Sequence, residues 1–371
     1  MNRDWMLRLA LAGTLVLAAC TTPADRSPVA QQATAATQAA AAAYDYDFNV
    51  FHSVVASQGM VVAEQRLASE VGLDVLKRGG NAVDAAVAMG FALGVTLPYS
   101  GNTGGGGFMM VHHAASGQDV ALDFREVAPQ AATRNLYLDA EGNVVDDMSL
   151  HTHAAVGVPG TVAGLTHALQ RWGTLPLAQL MQPAIDYAEN GYAVSETLAG
   201  VLQQEQGNLA KWDASRAIFF KDGEPLERGD TLVQKDLAAS LRLIARDGAG
   251  AFYRGAIADK IAAEMARHDG LITRQDLADY SVVEREPVRG TYRGYDIVTM
   301  PPPSSGGIHI VQLLNMMEHW PLAEWGHNSA RSVHHMAEAM KLVYADRSEY
   351  LGDTDFVSVP VRGLLSTAYA A

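Results

Sequence analysis

The sequence predicts an α+β protein in which helices and antiparallel hairpins form a layered sandwich. Segments with apolar residues at helical spacing are interrupted by short strand-like runs. Two of these runs, FMMVHH and DVALDFRE, flank AASGQ, as expected of a β-hairpin with a glycine-containing turn. Strands and helices do not alternate regularly, which argues against a doubly wound parallel sheet.

Composition and charge limit the classes of function. The chain has 371 residues, of which 49% are hydrophobic, so it can build a substantial core. It carries 41 acidic and 27 basic residues, and the resulting formal charge of −14 disfavours binding to nucleic acid or to an anionic lipid surface. No linker-like stretch follows residue 44, so we expect one compact domain over residues 44–371.

The N-terminus is typical of an exported lipoprotein. Two arginines flank the start of an apolar run that is too short to span a bilayer, which predicts a signal peptide over residues 1–19. The run ends in LAAC, which resembles a lipobox, and Cys20 is the only cysteine of the chain. We expect Cys20 to carry the lipid that anchors the protein on the periplasmic side of a bacterial membrane; a plain secretory signal is the alternative. Residues 20–43 are low in complexity and predict a tether.

The order of elements follows from the apolar spacing. A helix after Asn81 is apolar on all sides and is predicted to be buried, with Asp84 serving as a capping residue rather than a catalytic acid. Strands are predicted at 48–55, 61–63, 108–113, 120–124 and 296–300, and helices at 65–78, 82–95, 161–171, 176–190, 237–246, 256–268, 308–319 and 331–344.

The glycine-rich stretch SGNTGGGGFMM, residues 100–110, does not have the parts of a phosphate site. It contains neither GxxxxGK[ST] nor GxGxxG. Because it lies between a buried helix and an apolar strand, its glycines are expected to allow close packing of the two.

Other catalytic and metal motifs are missing from the sequence. There is no GxSxG, no SxxK and no HExxH. The adjacent pairs His112-His113 and His334-His335 would point their rings apart. His151 and His153 can share a face if extended, but no third ligand follows at motif spacing, which favours a surface or core role. The sequence therefore predicts no metal site.

Two segments are candidates for binding an anion. Arg125 closes an apolar strand, and its planar guanidinium can hold a carboxylate in two hydrogen bonds. An ion pair with Asp123 or Glu126 is an equally simple explanation. In PPPSSGGIHI, residues 301–310, the free N–H groups of a helix N-terminus can hold an anion, or Ser304 and Ser305 can cap the helix.

Several long stretches resemble the large subunit of the bacterial gamma-glutamyltransferases. They are KRGGNAVDAAVAMGFALGVTLPYSGNTGGGGFMM, LDFREVAP, GVPGTVAG, YRGYDIVTMPPPSSGGIHIVQLLN and YADRSEYLGD, in the family's order. The resemblance implies a four-layer αββα sandwich of the N-terminal-nucleophile hydrolase type, made as a precursor that cuts itself into two subunits and needs no cofactor. It also implies that Arg125 binds the α-carboxylate of a γ-glutamyl substrate such as glutathione, whose acyl group is passed to water or to an amino acid.

The family's nucleophile is a threonine in a Thr-Thr-His motif, and the only Thr-Thr here is Thr21-Thr22. The resemblance therefore implies that this chain is the large-subunit portion, incomplete without the small subunit and inactive alone. A truncated record, a split gene and a degenerate copy would each explain this. A glutaryl-type acylase of the same fold and a non-catalytic lipoprotein are the alternative functions.

Overall fold

The computed structural model describes residues 55–371, and a helix is found at each of the eight positions where the apolar spacing predicts one. Residues Gly59–Ala371 form one compact unit. The helices are α1 Arg66–Lys77, α2 Ala82–Thr96, α3 Met148–His151, α4 Thr161–Trp172, α5 Leu177–Asn190, α6 Glu196–Gln204, α7 Gln206–Leu209, α8 Asp213–Phe219, α9 Lys235–Asp247, α10 Ala249–Tyr253, α11 Ala256–Arg267, α12 Arg274–Asp279, α13 Gly306–Met317, α14 Leu322–Trp325, α15 Ala330–Tyr350, α16 Val361–Leu364 and α17 Thr367–Ala370. A 3₁₀ turn covers His153–Ala155.

The strands pair antiparallel throughout the described chain. They are β1 Phe108–His113, β2 Gln118–Asp123, β3 Tyr192–Ala193, β4 Phe220–Lys221, β5 Glu224–Pro225, β6 Thr231–Leu232, β7 Val283–Arg285, β8 Val288–Tyr292 and β9 Tyr295–Thr299. The predicted hairpin is formed by β1 and β2, with Phe108 opposite Asp123, and β7 adds to the other edge of β2. β2 is therefore the central strand, and the chain leaves it directly toward Arg125.

Helix α2 is the centre of the main core, as its apolar sequence predicts. Phe91, Val87 and Val95 have no exposed surface, and α1, α4 and α5 pack around them. Asn81 and Asp84 form the predicted capping box at its start. The Asp84 carboxylate also accepts hydrogen bonds from the N–H groups of Thr174 and Leu175, so it joins α2 to the segment before α5. The prediction that Asp84 is a cap is confirmed.

Three sequence predictions differ from the structure or go beyond it. The strand predicted at residues 61–63 is wrong, because these residues pair with no strand of residues 55–371 and come just before α1. The strand predicted at 48–55 falls almost wholly outside the described residues. The sheets seen in residues 55–371 are one of three strands and three of two strands, so the four-layer sandwich stays a prediction. No helix of this part of the chain is long and apolar enough to cross a membrane.

The glycine-rich loop has the packing role that its position predicts. A Cβ on Gly101 would come within 2.9 Å of the Leu93 carbonyl oxygen at the end of α2. A Cβ on Gly106 would come within 2.6 Å of the Phe124 carbonyl oxygen. Gly107 and Phe124 exchange two backbone hydrogen bonds, which extends the β1–β2 hairpin by one residue on each strand. The loop therefore holds the segment that carries Arg125 against the helical core.

Candidate functional site

A cavity of about 630 Å³ lies where β2 ends, and Arg125 is on its wall. Its lining comes from segments that are far apart in sequence: the end of β2, the chain between α12 and β7, and the loop after α15. Both charges are present, since the lining includes Arg125 and Arg285 together with Glu126, Asp279 and Asp353. A cavity of this size and polarity suits a small zwitterionic ligand.

The backbone of Arg125 is held on both sides. Its N–H donates to Asp123 Oδ1 at 3.1 Å, and its carbonyl oxygen accepts from the Tyr280 hydroxyl at 2.9 Å. The side chain is exposed, with its guanidinium carbon 5.9 Å from the centre of the Phe108 ring. A fixed backbone beneath a solvent-facing guanidinium is the arrangement expected of a group that binds a ligand rather than one that stabilises the fold.

The predicted ion pair between Arg125 and Asp123 does not form, because Asp123 has another partner. Arg285 Nε lies 2.8 Å from Asp123 Oδ2, and both side chains are nearly buried, at 13% and 8% exposed. Arg285 also donates two hydrogen bonds to Asp355, at 3.0 and 2.7 Å. Within residues 55–371 no carboxylate lies within 4 Å of the Arg125 guanidinium, so neither Asp123 nor Glu126 neutralises it.

This Arg285 network sets the electrostatics of one cavity wall. The hydrogen bonds from Arg285 hold the pKa of the Asp355 carboxyl below its ordinary value. The hydrogen bonds to Asp355 and Asp123 hold the pKa of the Arg285 guanidinium above its ordinary value. Asp355 is thus anionic and Arg285 cationic throughout the physiological pH range. Since their charges are mutually satisfied, the exposed cation left in the cavity is Arg125.

Tyr280 forms a second support under Arg125. Its ring stacks on that of Tyr253, with centroids 5.5 Å apart. Tyr253 in turn donates to the Pro159 carbonyl oxygen and accepts from the N–H of Ala163. Burial raises the pKa of Tyr280, and the neighbouring Tyr253, Asp123 and Glu126 raise it further, so its hydroxyl stays protonated and keeps donating to Arg125.

The PPPSSGG segment reaches the cavity only through Pro303. The Ser304 hydroxyl accepts from the Gly306 N–H at 3.2 Å, so it supports the start of α13. Arg347 donates to the Ser305 hydroxyl at 3.3 Å. Ser305, the N-cap residue, makes no side-chain capping hydrogen bond, so the predicted capping role is supported for Ser304 alone. Cys20, predicted to carry a lipid, lies outside the described residues.

The rings of His112 and His113 have separate partners, whereas those of His334 and His335 lie edge to face with centroids 5.6 Å apart, so the prediction that adjacent rings point apart is wrong for the second pair. His112 contacts Asp119 and His113 contacts Ser116. Sequence reasoning did not find Tyr280, Arg285 or Asp355. Each lies on a segment without a motif, and only the fold brings them to the end of β2.

Comparison with known proteins identifies a family. The gamma-glutamyltranspeptidase family model matches residues 68–371. The glutathione hydrolase proenzyme of Escherichia coli strain K12 is 52% identical over 339 residues, which are 91% of this chain and 58% of that protein. The Acylase ACY 1 proenzyme of Pseudomonas sp. strain SE83 is 42% identical over 320 residues, 85% of this chain and 57% of that protein. The chain thus spans a little under three fifths of each of these two relatives.

A solved structure matches more completely. The chain of the Helicobacter pylori gamma-glutamyltranspeptidase crystal structure aligns with a TM-score of 0.84 and 49% sequence identity, and the match covers 86% of this chain and 91% of that one.

Proposed function

Because this chain belongs to the gamma-glutamyltranspeptidase family, we propose that it is the large-subunit portion of an enzyme that transfers or hydrolyses the γ-glutamyl group of glutathione and related compounds. The match to the Helicobacter pylori structure supports the N-terminal-nucleophile hydrolase fold. The difference in coverage supports the large-subunit assignment, since the match covers 58% of a relative named a proenzyme and 91% of the solved chain.

The observation that carries the proposal is the unpaired guanidinium of Arg125 on the cavity wall. It can donate two parallel hydrogen bonds to the α-carboxylate of a γ-glutamyl group. Its backbone, held by Asp123 and Tyr280, cannot retreat when the side chain binds. A grip on this unreacting end of the substrate places the scissile amide at a constant distance from the nucleophile, which lowers the entropic part of the barrier.

The bond chemistry belongs to the small subunit in this proposal. Its N-terminal threonine hydroxyl attacks the γ-glutamyl amide carbonyl carbon while its own α-amine takes the hydroxyl proton. The α-amine passes this proton to the amide nitrogen, the C–N bond breaks, and the amine of the substrate leaves. Water or an amino acid amine then attacks the acyl-enzyme and releases the threonine. The role of this chain in that reaction is to bind and orient the substrate.

Glutaryl amides are the competing substrate class, and the Pseudomonas relative named an acylase favours considering them. A glutaryl group keeps the carboxylate that Arg125 would hold and lacks only the α-amine. The acidic groups of the cavity, Glu126, Asp279 and Asp353, favour a substrate that carries an ammonium group beside its carboxylate. This charge balance supports γ-glutamyl over glutaryl compounds.

The complete gene product, assayed with a γ-glutamyl anilide and a glutaryl anilide, tests the proposal. We expect γ-glutamyl to be the better substrate in kcat/KM. Arg125→Lys should raise KM by about 10- to 100-fold while self-cleavage proceeds, because lysine offers a point charge in place of a two-pronged donor. Arg289→Lys is the matched control, since Arg289 pairs with Asp119 outside the cavity. Unchanged kinetics in Arg125→Lys would exclude its proposed role, and a preference for the glutaryl anilide would favour the acylase.

We also propose that the protein is exported and anchored through a lipid on Cys20. The position of the single cysteine directly after the apolar run supports this. Cys20→Ser should move the protein from the membrane to the soluble fraction of the cell envelope. Retention of the variant in the membrane fraction would contradict the anchor.

A further inference from the structure

Two histidines and a glutamate converge away from the Arg125 cavity. His153 lies in the 3₁₀ turn, whereas Glu264 and His268 are one helical turn apart at the end of α11. His268 Nε2 is 3.3 Å from Glu264 Oε1, and His153 Nε2 is 3.9 Å from the same oxygen. The ligand atoms of the three residues all lie within 4.8 Å of one another.

These separations are close to those of a tetrahedral metal site. Zinc bonds to nitrogen and carboxylate oxygen are about 2.0–2.2 Å long, so neighbouring ligand atoms around the ion are about 3.3–3.5 Å apart. The two measured separations from Glu264 Oε1 differ from this by only a few tenths of an ångström. The two imidazoles, which are both partly exposed, would have to rotate to bring their ligand nitrogens closer together. The backbone elements need not move.

The surroundings favour a bound cation over three unrelated side chains. The two imidazoles stack with centroids 4.6 Å apart, and the Trp212 ring stands edge-on to both, which holds them together. Arg267 pairs with the other carboxylate oxygen, Oε2, so Oε1 is left to face the histidines. His153 is 17% exposed, while Glu264 and His268 are 44% and 40% exposed. The open side leaves room for a water molecule as the fourth ligand.

We propose that His153, Glu264 and His268 form a binding site for a divalent cation of the zinc type. Two imidazole nitrogens and one carboxylate oxygen are a ligand set that zinc uses, and they do not suit magnesium or calcium, which prefer oxygen ligands. The ligands come from distant segments, which is why no motif marks the site in the sequence.

A cation here would tie two parts of the fold together. The 3₁₀ turn leads into Val158, whose backbone pairs with Val127 beside the cavity, whereas Glu264 lies in α11 and His268 is the residue that ends it. The bound ion joins the α11 end to that turn, so its role is structural. It takes no part in the activity proposed above, and the two proposals can fail separately.

Calorimetric titration of ZnCl₂ into the full chain, previously treated with chelator and dialysed, tests the site. We expect one site per chain that is lost in His268→Gln and in Glu264→Gln, and a melting temperature that zinc raises in the unmodified protein only. Cobalt bound in place of zinc should give the intense visible bands of four-coordinate cobalt. His151→Gln is the matched control, since His151 is exposed, lies near His153 in sequence and is not in the cluster.

His268 and Glu264 are the deciding positions because both are substantially exposed, so their substitution leaves the fold intact. His153→Gln adds a third test if the variant folds. Zinc binding of equal stoichiometry and affinity in His268→Gln and Glu264→Gln would overturn the proposal. The proposal would also be overturned if His151→Gln weakened zinc binding as much as His268→Gln and Glu264→Gln do.

Discussion

Substitution of Asp84 by asparagine should destabilise the fold strongly. The carboxylate has no exposed surface and accepts four hydrogen bonds: from the N–H of Asn81 at 2.8 Å, the N–H and hydroxyl of Thr174 at 2.8 and 2.6 Å, and the N–H of Leu175 at 3.1 Å. An amide keeps one accepting oxygen and places an NH₂ group opposite Asn81 N–H. The NH₂ group replaces Oδ2, which accepts from both the Asn81 N–H and the Thr174 hydroxyl. The hydroxyl can turn to accept from the new amide, but the Asn81 N–H is left without its acceptor, and the loss costs about 2–4 kcal/mol of unfolding free energy.

The effect should depend on pH in a defined direction. Burial raises the pKa of Asp84, but the hydrogen bonds from Thr174, Asn81 and Leu175 outweigh it and leave the pKa below its ordinary value of 3.8. A carboxyl group with a lowered pKa stabilises the folded state above its unfolded pKa, and this stabilisation is lost as the pH falls through the folded value. The gap between wild type and Asp84→Asn should therefore be constant near neutral pH and narrow below about pH 3.8.

Urea unfolding followed by circular dichroism at pH 7 and pH 3 measures both quantities. Asp74→Asn is the control, because that carboxylate is 60% exposed and pairs only with Arg78 across one turn of α1. Its effect should stay within about 0.5 kcal/mol. A loss in Asp84→Asn no larger than in the control, or a gap that is the same at pH 3, would refute the reasoning.

Two further predictions concern the cavity and its supports. Asp123→Asn removes one of the two carboxylate partners of the nearly buried Arg285 and leaves Asp355 as the other. We expect about a tenfold rise in KM for a γ-glutamyl substrate with kcat within about threefold, read from steady-state kinetics. An unchanged KM would show that Asp123 does not position the site. Gly160→Ala places a methyl carbon 1.8 Å from the Phe124 carbonyl oxygen, so it should lower the urea midpoint by the equivalent of at least about 3 kcal/mol. Gly200 on α6 has open space around it, so Gly200→Ala should raise the stability by up to about 1 kcal/mol. Equal effects of the two substitutions would contradict this packing.

The features that could be predicted from the sequence depend on residues close together in the chain or on stretches that resemble a known family. The spacing of Asn81 and Asp84 specifies a capping box within a few residues, and both the helix and its cap are found. The alternation around AASGQ likewise predicts the β1–β2 hairpin, and β1 has the predicted bounds. The strand prediction for residues 61–63 was wrong because a short apolar run does not by itself provide a partner strand.

The partners of Arg125 could not be predicted because they depend on tertiary structure. The Tyr280 hydroxyl contacts it across 155 residues of sequence, and neither residue has a local signal for the other. Asp123 looked like an ion-pair partner for Arg125 on proximity alone, but β7 brings the Arg285 guanidinium within 2.8 Å of the Asp123 carboxylate. For the same reason the sequence showed only His151 as a neighbour for His153, whereas the fold brings Glu264 and His268 to it from the end of α11.

The two-sided pairing of Arg285 has a consequence for the order of folding. One contact, to Asp123, closes a loop of 162 residues, and the other, to Asp355, closes one of 70. Contacts across such separations form late, because the chain entropy lost in closing the loops is recovered only once all three segments are in place. The wall beneath Arg125 therefore stays unfinished until the segment around Asp355 has docked on Arg285, so a folding chain can hold substrate only after this late contact has formed.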